Sequence, residues 1–373
     1  MQAYERLELA WSGFNGLDPD GMVACSSGTA ALHLALEAMK LPPGSEVITS
    51  DFNMIAVPRA IAMAGLTPVF VDCDERLLMD CDLLDKFISN GDDGGYRRQT
   101  EAIIAVHIYG RQCDMERYIS WKRKYSGDLF LIEDLAEAHG VKPHSDTDAA
   151  CWSFYKNKQV AGEEGGAVWF KDPEHAKLAR CLRSLGFTAD HDFMHVGRGH
   201  NYRMSNLHAK PILDSIANYG KNLHGRKMGV HDYKSAGRLQ IQEWYDAACP
   251  DKLKMPKRDA IWVYDILLPD SKAGWETNIK NPNFGMPVYE PLHKIVKTLN
   301  AEGIAARCGF KPMKKQEEFK NCRRVIKSLT TEVSVADRMS ARVMYLPVSP
   351  GRTTEADCKR AFDLIRQRLA EAG

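Results

Sequence analysis

The feature that most constrains the fold is a series of short apolar runs between residues 23 and 170, separated by segments with helical periodicity. The runs are continuous rather than alternating, so both faces of each strand are predicted to be buried, as in a parallel sheet under helices. The helical segments between them are long enough to return the chain in parallel. The pattern therefore predicts an α/β architecture with a mainly parallel sheet flanked by helices. The predicted strands are 47–49, 68–72, 102–106, 129–132, 150–154 and 167–170.

At 373 residues the chain is longer than a single domain with one hydrophobic core usually is. After about residue 220 the strand and helix pattern loosens, and an amphipathic helix is predicted over 355–371. We therefore predict a large domain over residues 1–224 and a smaller C-terminal α/β domain over residues 225–373.

Charge and cysteine usage narrow the class of protein. Fifty Lys and Arg residues against 49 Asp and Glu residues give a net charge of +1, so no charge excess favours nucleic acid or an anionic membrane. The sequence contains no run of about 20 apolar residues. Its ten cysteines form no Cys-x-x-Cys pair, which is typical of reduced thiols. We expect a cytoplasmic protein whose partners are small molecules.

A turn of small residues, Ser26-Ser27-Gly28-Thr29, leads directly into a predicted helix. The first turn of a helix presents unpaired N–H groups and the positive end of the helix dipole, so a phosphate group would be held well there. An ordinary serine N-cap would produce the same sequence, and the turn alone does not separate the two interpretations.

An acid and a base follow two later apolar runs. Asp134 closely follows the run 129–132. A carboxylate buried there needs a cationic partner, such as a protonated pyridine nitrogen, unless it caps the next helix. Lys158 follows the run 150–154, and a lysine there can form a Schiff base with a carbonyl cofactor. Open α/β sheets bind ligands beyond the carboxyl ends of their strands, so both side chains can reach one ring. Lys142 and Lys156 compete for the same role.

Other motifs exclude several classes of enzyme. The chain has no Gly-x-Ser-x-Gly elbow, Walker-type loop or His-Glu-x-x-His motif. His191 and His195 have a spacing found at metal sites, but no cysteine or carboxylate pattern completes one. We therefore expect no metal site.

As a set, the motifs resemble the DegT/DnrJ/EryC1/StrS family, the pyridoxal phosphate-dependent sugar aminotransferases of fold type I. The resemblance is strong over residues 23–220 and faint beyond them. It rests on the blocks 27–36, 44–49, 68–72, 106–110, 133–140, 153–158, 165–166, 201–204 and 291–293.

The resemblance implies a fold type I transferase with pyridoxal 5'-phosphate as cofactor and Lys158 as the catalytic residue. Asp134 would pair with the pyridine nitrogen, and Ser153 with the amides of Gly28 and Thr29 would bind the phosphate. The remaining implied cofactor contacts are Met54, where members usually have an aromatic residue that stacks on the ring, and Glu137, where many members have Gln.

The resemblance also implies a partner subunit. Asn201 would reach the phosphate bound by a neighbouring copy, so a homodimer with shared active sites is expected. Candidate substrate contacts are Tyr202, Arg203 and His293.

The implied reaction moves an amino group from an amino acid, L-glutamate in our interpretation, to a keto sugar that is nucleotide-linked, with ping-pong kinetics. Because the cofactor supplies the electron sink, the same residues are compatible with a decarboxylase, a lyase or a replacement enzyme acting on an amino-acid-derived substrate. A non-catalytic binding protein of the same fold is a further alternative.

Overall fold

The computed structural model describes residues 1–89, 100–124, 129–188, 193–225, 236–269, 290–326 and 333–372. The strands in these ranges are β1 (Met22–Cys25), β2 (Glu46–Ser50), β3 (Thr67–Val71), β4 (Thr100–Val106), β5 (Phe130–Asp134), β6 (Ala149–Ser153), β7 (Gly166–Phe170), β8 (Val263–Leu267), β9 (Arg307–Cys308), β10 (Arg324–Val325) and β11 (Val343–Pro347). The helices are α1 (Ala3–Asn15), α2 (Gly28–Ala38), α3 (Ala56–Met63), α4 (Cys81–Ser89), α5 (Met115–Lys124), α6 (Pro173–Arg183), α7 (Asn206–Ala217), α8 (Tyr219–His224), α9 (Arg238–Ala248), α10 (Glu290–Ala301), α11 (Val335–Ser340) and α12 (Glu355–Ala372).

A large sheet has the strand order β1-β7-β6-β5-β4-β2-β3-β10. Strand β7 runs antiparallel to both of its neighbours, β1 and β6, and the other pairs in this sheet are parallel. The predicted α/β class with a mainly parallel sheet is thus confirmed.

The continuous apolar runs become strands because both faces of the large sheet are covered. Every residue of β1, β2 and β7 is buried. On one face α2 contributes a nearly continuous apolar surface from Ala30 to Ala38. On the other, α1 brings Trp11 against Trp152 of β6, with ring centroids 5.8 Å apart. Two-sided burial is the reason these strands carry no alternating polar residues.

A small antiparallel sheet has the order β8-β11-β9. Its core includes Tyr245 of α9, Leu299 of α10 and Phe362 of α12. The short strand β10 comes from the same C-terminal part of the chain but pairs with β3 in the large sheet. The C-terminal part therefore also contributes to the large sheet, while a domain boundary at residue 225 stays a prediction.

The topology places several chain segments at one edge of the large sheet. The parallel strands β4, β5 and β6 end at Val106, Asp134 and Ser153, and β1 ends just before Ser27, the N-cap of α2. Because carboxyl ends of parallel strands meet at one edge, polar side chains far apart in sequence converge there. In the parts of the chain that the structure describes, no helix combines the length and apolarity needed to cross a bilayer.

Candidate active site

A cavity of about 400 Å³ lies at the carboxyl edge of the large sheet and contains Lys158. Its walls include most of the residues predicted to bind the cofactor: Gly28, Thr29, Met54, Asp134, Glu137 and Ser153. Trp262, Arg307 and Tyr345 add a wall from the C-terminal part of the chain.

The N-terminus of α2 forms one end of this cavity. The Ser27 hydroxyl oxygen accepts a hydrogen bond from the N–H of Ala30 at 3.1 Å, so the serine is a true N-cap. The N–H groups of Gly28 and Thr29 have no partner among the described residues. Capping and anion binding are thus compatible, because the cap uses one N–H group and leaves two pointing at the cavity.

Gly28 allows α2 to start close to β6. A Cβ atom on Gly28 would lie 2.7 Å from the Cβ of Ser153 and 3.2 Å from its hydroxyl oxygen. Gly166 makes a similar approach possible, since a Cβ there would lie 2.2 Å from the carbonyl oxygen of Ser27. The two glycines bring the open N–H groups and the Ser153 hydroxyl to the same place.

Asp134 is buried at the end of β5. One carboxylate oxygen accepts the N–H of Ala136 at 2.9 Å. Burial raises the pKa of Asp134, and the hydrogen bond from Ala136 and the charge of Lys158 only partly oppose this effect. A buried carboxylate with one backbone donor and an open side toward the cavity is suited to a cationic ligand.

Lys158 points into the cavity with its side chain nine-tenths buried. The ammonium nitrogen lies 3.6 Å from a carboxylate oxygen of Glu137 and 4.0 Å from the ring centroid of Trp262. The other Glu137 oxygen accepts the N–H of Tyr109 at 2.9 Å. Burial raises the pKa of Glu137 to about 7, although Lys158 acts in the opposite direction. The amine is therefore held between a carboxylate and an aromatic face.

Three further hydrogen bonds fix the backbone around the lysine. The indole N–H of Trp262 donates to the carbonyl of Asn157 at 2.9 Å. The buried guanidinium of Arg238 donates to the carbonyl of Lys158 at 3.3 Å, and the Gln159 amide donates to the carbonyl of Glu137 at 2.7 Å. The lysine segment is thus anchored from the C-terminal part of the chain as well as from the large sheet.

His107, at the end of β4, is also on the cavity wall. Its Nδ1 accepts the N–H of Cys113 at 3.1 Å, so the ring proton resides on Nε2, which donates to Glu133 at 3.0 Å. This arrangement fixes the tautomer of His107 and the orientation of its ring beside Asp134.

The structure does not bring all the predicted residues together within one chain. Asn201 is exposed and does not line the cavity of Lys158. Tyr202 instead bonds through its hydroxyl to Nδ1 of His33 at 3.1 Å, and Arg203 lines a separate cavity of about 380 Å³. His293 is exposed on α10 and is likewise absent from the lining of the Lys158 cavity. The physical reason is that Tyr202 and Arg203 pack beside α2 and the end of α6, while α10 packs in the C-terminal core. Any role of these residues in catalysis would therefore need a second subunit or a movement.

Sequence reasoning missed Trp262, Arg307, Tyr345 and His107. Trp262 sits in an apolar run (260–264) that is typical of ordinary core, and Arg307 follows no recognisable motif. His107 belongs to a block that carried the family resemblance, but its contacts depend on Glu133 and Cys113. Only folding places these side chains beside Lys158.

The cavity fits a phosphorylated pyridine carbonyl compound. The anion site at α2, the buried carboxylate of Asp134 and the amine of Lys158 would meet the phosphate, the ring nitrogen and the carbonyl carbon respectively. Met54, half-exposed on the wall, supplies an apolar side chain of the polarizable kind that packs on rings.

Comparison with known proteins agrees with this geometry. The chain is 30% identical over 353 residues to a GDP-perosamine synthase of Caulobacter vibrioides, a match that covers 93% of this chain and 85% of the relative. It is 30% identical over 373 residues to a UDP-N-acetyl-3-dehydro-alpha-D-glucosamine 3-aminotransferase of Acidithiobacillus ferrooxidans, covering 97% and 88% of the two chains.

The fold is similar to that of a crystallised DegT DnrJ EryC1 StrS aminotransferase from Brucella abortus. The TM-score is 0.77 at 24% identity, and the superposition covers 98% of this chain and 90% of the other. Residues 4–365 match the sequence pattern of the DegT/DnrJ/EryC1/StrS aminotransferase family, which extends the resemblance well beyond residue 220. The chain is therefore a pyridoxal phosphate-dependent aminotransferase of the DegT/DnrJ/EryC1/StrS family.

Proposed function

We propose that this enzyme transfers the amino group of L-glutamate to a keto group on a nucleotide-linked sugar, by a ping-pong mechanism. The observation that carries the proposal is the convergence of the α2 anion site, Asp134 and Lys158 on one cavity. The names of both relatives specify nucleotide-linked sugars, which supports that class of acceptor.

When bound, the cofactor supplies a carrier for the amino group and an electron sink for the substrate carbon. Gly28, Thr29 and Ser153 would hold its phosphate, Asp134 its ring nitrogen, and Lys158 its carbonyl carbon. The carboxylate of Asp134 would keep the ring nitrogen protonated, because a cation there neutralises a buried charge.

Lys158 is the residue that can move the proton. Its amine nitrogen would accept the proton that leaves the substrate carbon and pass it on within the same half-reaction. In the second half-reaction it would move a proton in the opposite direction. Glu137, 3.6 Å away, keeps the amine on this side of the cavity, while the Trp262 ring shields it from water. A base of this kind must stay within hydrogen-bond reach of the reacting carbon, and the three backbone anchors of the lysine segment serve that requirement.

Arg307 is the cation placed to receive the acidic parts of the substrates. It is exposed at the cavity, cross-strand from Tyr345. A guanidinium suits carboxylates and phosphates alike, so it could receive a carboxylate of glutamate or the diphosphate of the sugar nucleotide.

We propose further that two copies share their active sites. In its own chain Asn201 lies away from the cavity, and the segment before it exposes three apolar side chains, Phe193, Met194 and Val196, which are 80%, 68% and 54% exposed. Such a patch favours burial against another copy. A cytoplasmic location is consistent with the ten cysteines, all of which are free thiols.

The first test is the absorption spectrum of the purified protein before and after L-glutamate, beside Lys158→Ala. We expect a near-visible band that glutamate discharges, with release of 2-oxoglutarate, and no such discharge in the variant. If the band is present but indifferent to glutamate, another donor or another reaction of the same cofactor replaces our proposal. A protein without any cofactor band would refute the assignment of the cavity.

Shared sites are tested by mixing two inactive variants, Lys158→Ala and Asn201→Ala. Random exchange of subunits gives half mixed dimers, each with one intact site, so about a quarter of the wild-type activity should return. If no activity returns after subunit exchange has been verified, each site takes Lys158 and Asn201 from one chain, which contradicts shared active sites.

A further inference from the structure

A second cluster of polar side chains lies on the opposite half of α2 from its anion-binding end. His33 and Glu37 are one helical turn apart, so their side chains share a face, and His200 reaches them from the segment that leads into Asn201. Nε2 of His200 lies 2.6 Å from one Glu37 oxygen, and Nε2 of His33 lies 3.6 Å from the other. One ligand atom of each residue lies within 4.8 Å of the others.

His33 is the unusual member of this cluster. Its side chain is only 3% exposed, and Nε2 has no hydrogen-bond partner among the described residues. Nδ1 is bonded to the Tyr202 hydroxyl at 3.1 Å. If Nδ1 carries the proton and donates to Tyr202, Nε2 presents its lone pair to Glu37 and His200. A buried acceptor without a donor is costly, so an electrophile between the three residues would relieve it.

The other two residues are held in place before any ligand arrives. The backbone of His200 donates to the carbonyl of Leu182 at 2.6 Å and accepts from the N–H of Leu185 at 2.9 Å. Its ring stacks on Tyr202 with centroids 4.8 Å apart and planes 14° apart. Glu37 is fixed by the helix. The cluster is therefore oriented by the fold and by the Tyr202 side chain.

The ligand set matches a borderline transition metal. Two imidazoles and one carboxylate bind Zn²⁺ and similar ions, with bonds of about 2.0–2.2 Å. Ligand atoms around a tetrahedral ion are then about 3.3 Å apart, and one ligand atom from each of the three residues already lies within 4.8 Å of the other two. The hydrogen bond that Nδ1 of His33 donates to the Tyr202 hydroxyl is the outer contact that metal-bound histidines usually make.

We propose that His33, Glu37 and His200 form a binding site for a divalent transition-metal ion of the Zn²⁺ type. The ion would join α2 to the segment that carries Asn201 and Tyr202. It would thus be structural, holding that segment against the helix whose first turn forms the anion site. His195, whose spacing from His191 is found at metal sites, is not part of this cluster, and His191 lies outside the described residues.

The alternative is a hydrogen-bonded ion pair without a metal. His200 would then be protonated against Glu37, and Nε2 of His33 would carry its proton toward Glu37 or toward the nearby backbone carbonyl of Met63. The two arrangements differ in their ability to bind a metal ion, because only the metal site has lone pairs of all three residues facing one point.

Titration with Co²⁺ distinguishes the metal site from the ion pair. The cofactor-loaded protein is freed of metal with a chelator, and Co²⁺ binding is followed by visible absorption and by calorimetry. We expect one ion per chain with d–d bands and without the near-ultraviolet sulfur-to-cobalt bands that any of the ten thiols would give. Zn²⁺ should displace Co²⁺ and raise the Tm of the wild type.

Three variants and a control decide the site. His200→Gln and Glu37→Gln should each weaken Co²⁺ binding by more than about tenfold, and Tyr202→Phe by about 10–100-fold. His195→Gln, on the same segment but outside the cluster, should bind like the wild type. Absence of a stoichiometric site, thiolate bands, or binding unaffected by both His200→Gln and Glu37→Gln would overturn the proposal. His200 and Glu37 are partly exposed, so their substitution leaves the core intact.

Discussion

Replacing Gly28 by alanine is expected to lower the unfolding free energy and to weaken cofactor binding, and the two effects can be measured separately. The new Cβ would lie 2.7 Å from the Cβ of Ser153, against about 3.5–4.0 Å for an ordinary carbon contact. The start of α2 must therefore retreat from β6 by about 1 Å. Overpacking of this kind costs about 1–3 kcal/mol of unfolding free energy.

The same retreat lengthens any hydrogen bonds from the Gly28 and Thr29 N–H groups to a bound phosphate. Charge-assisted bonds contribute about 1.5–3 kcal/mol each, so losing one corresponds to about a 10–100-fold rise in the cofactor Kd. The assays are urea unfolding of the cofactor-free protein and titration with pyridoxal phosphate followed by absorbance.

Two control variants test whether the close contact between residues 28 and 153 causes these losses. Gly13→Ala, in α1, meets nothing within 4 Å and should stabilise the protein by about 0.5–1 kcal/mol without changing the cofactor Kd. Ser153→Gly removes the atom that the new Cβ at position 28 would strike, so it should restore part of the unfolding free energy lost in Gly28→Ala. If Gly28→Ala binds the cofactor like the wild type, the α2 turn is not the phosphate site.

Three further predictions concern charged residues of the cavity. Asp134→Asn should lower kcat by about two orders of magnitude or more, because it breaks the buried ion pair with the ring nitrogen of the cofactor; an unchanged kcat would contradict that pairing. The cofactor-free variant should be as stable as the wild type or more stable at pH 8, because ionised Asp134 opposes folding there. Burial raises the pKa of Glu137 from 4.5 to about 7, so the unfolding free energy of the cofactor-free protein should fall by up to about 3 kcal/mol between pH 4.5 and 7. Glu137→Gln should not show this fall when the unfolding free energy is measured against pH. Arg307→Ala should raise the KM of one substrate at least tenfold with little change in kcat, which identifies that substrate as its ligand; two unchanged KM values would remove Arg307 from the site.

The large sheet could be predicted from the sequence because its strands are buried on both faces. That burial demands continuous apolar runs, and such runs are visible in the chain without any knowledge of their neighbours. The ends of those runs also located Asp134 and Lys158, since the carboxyl edge of a parallel sheet is fixed by strand direction alone. Gly28 was located by the start of a predicted helix, and the role of Ser153 came from the family resemblance. Two strands of the large sheet were missed. β1 is only four residues long, and two residues pairing at the edge of a sheet, as in β10, leave no periodicity.

The local sequence determined the positions of the site residues that lie at the end of a strand or the start of a helix, because the direction of the chain places those residues at the carboxyl edge of the sheet. Only the tertiary structure decided the rest. Trp262 and Arg307 reach the cavity because the C-terminal part of the chain packs against the sheet edge, and His33, Glu37 and His200 meet because a segment 163 residues after Glu37 returns to α2. Such contacts depend on packing between distant elements, which carries no local pattern. The same physics kept Tyr202 and Arg203 out of the Lys158 cavity, although their motif was plain in the sequence.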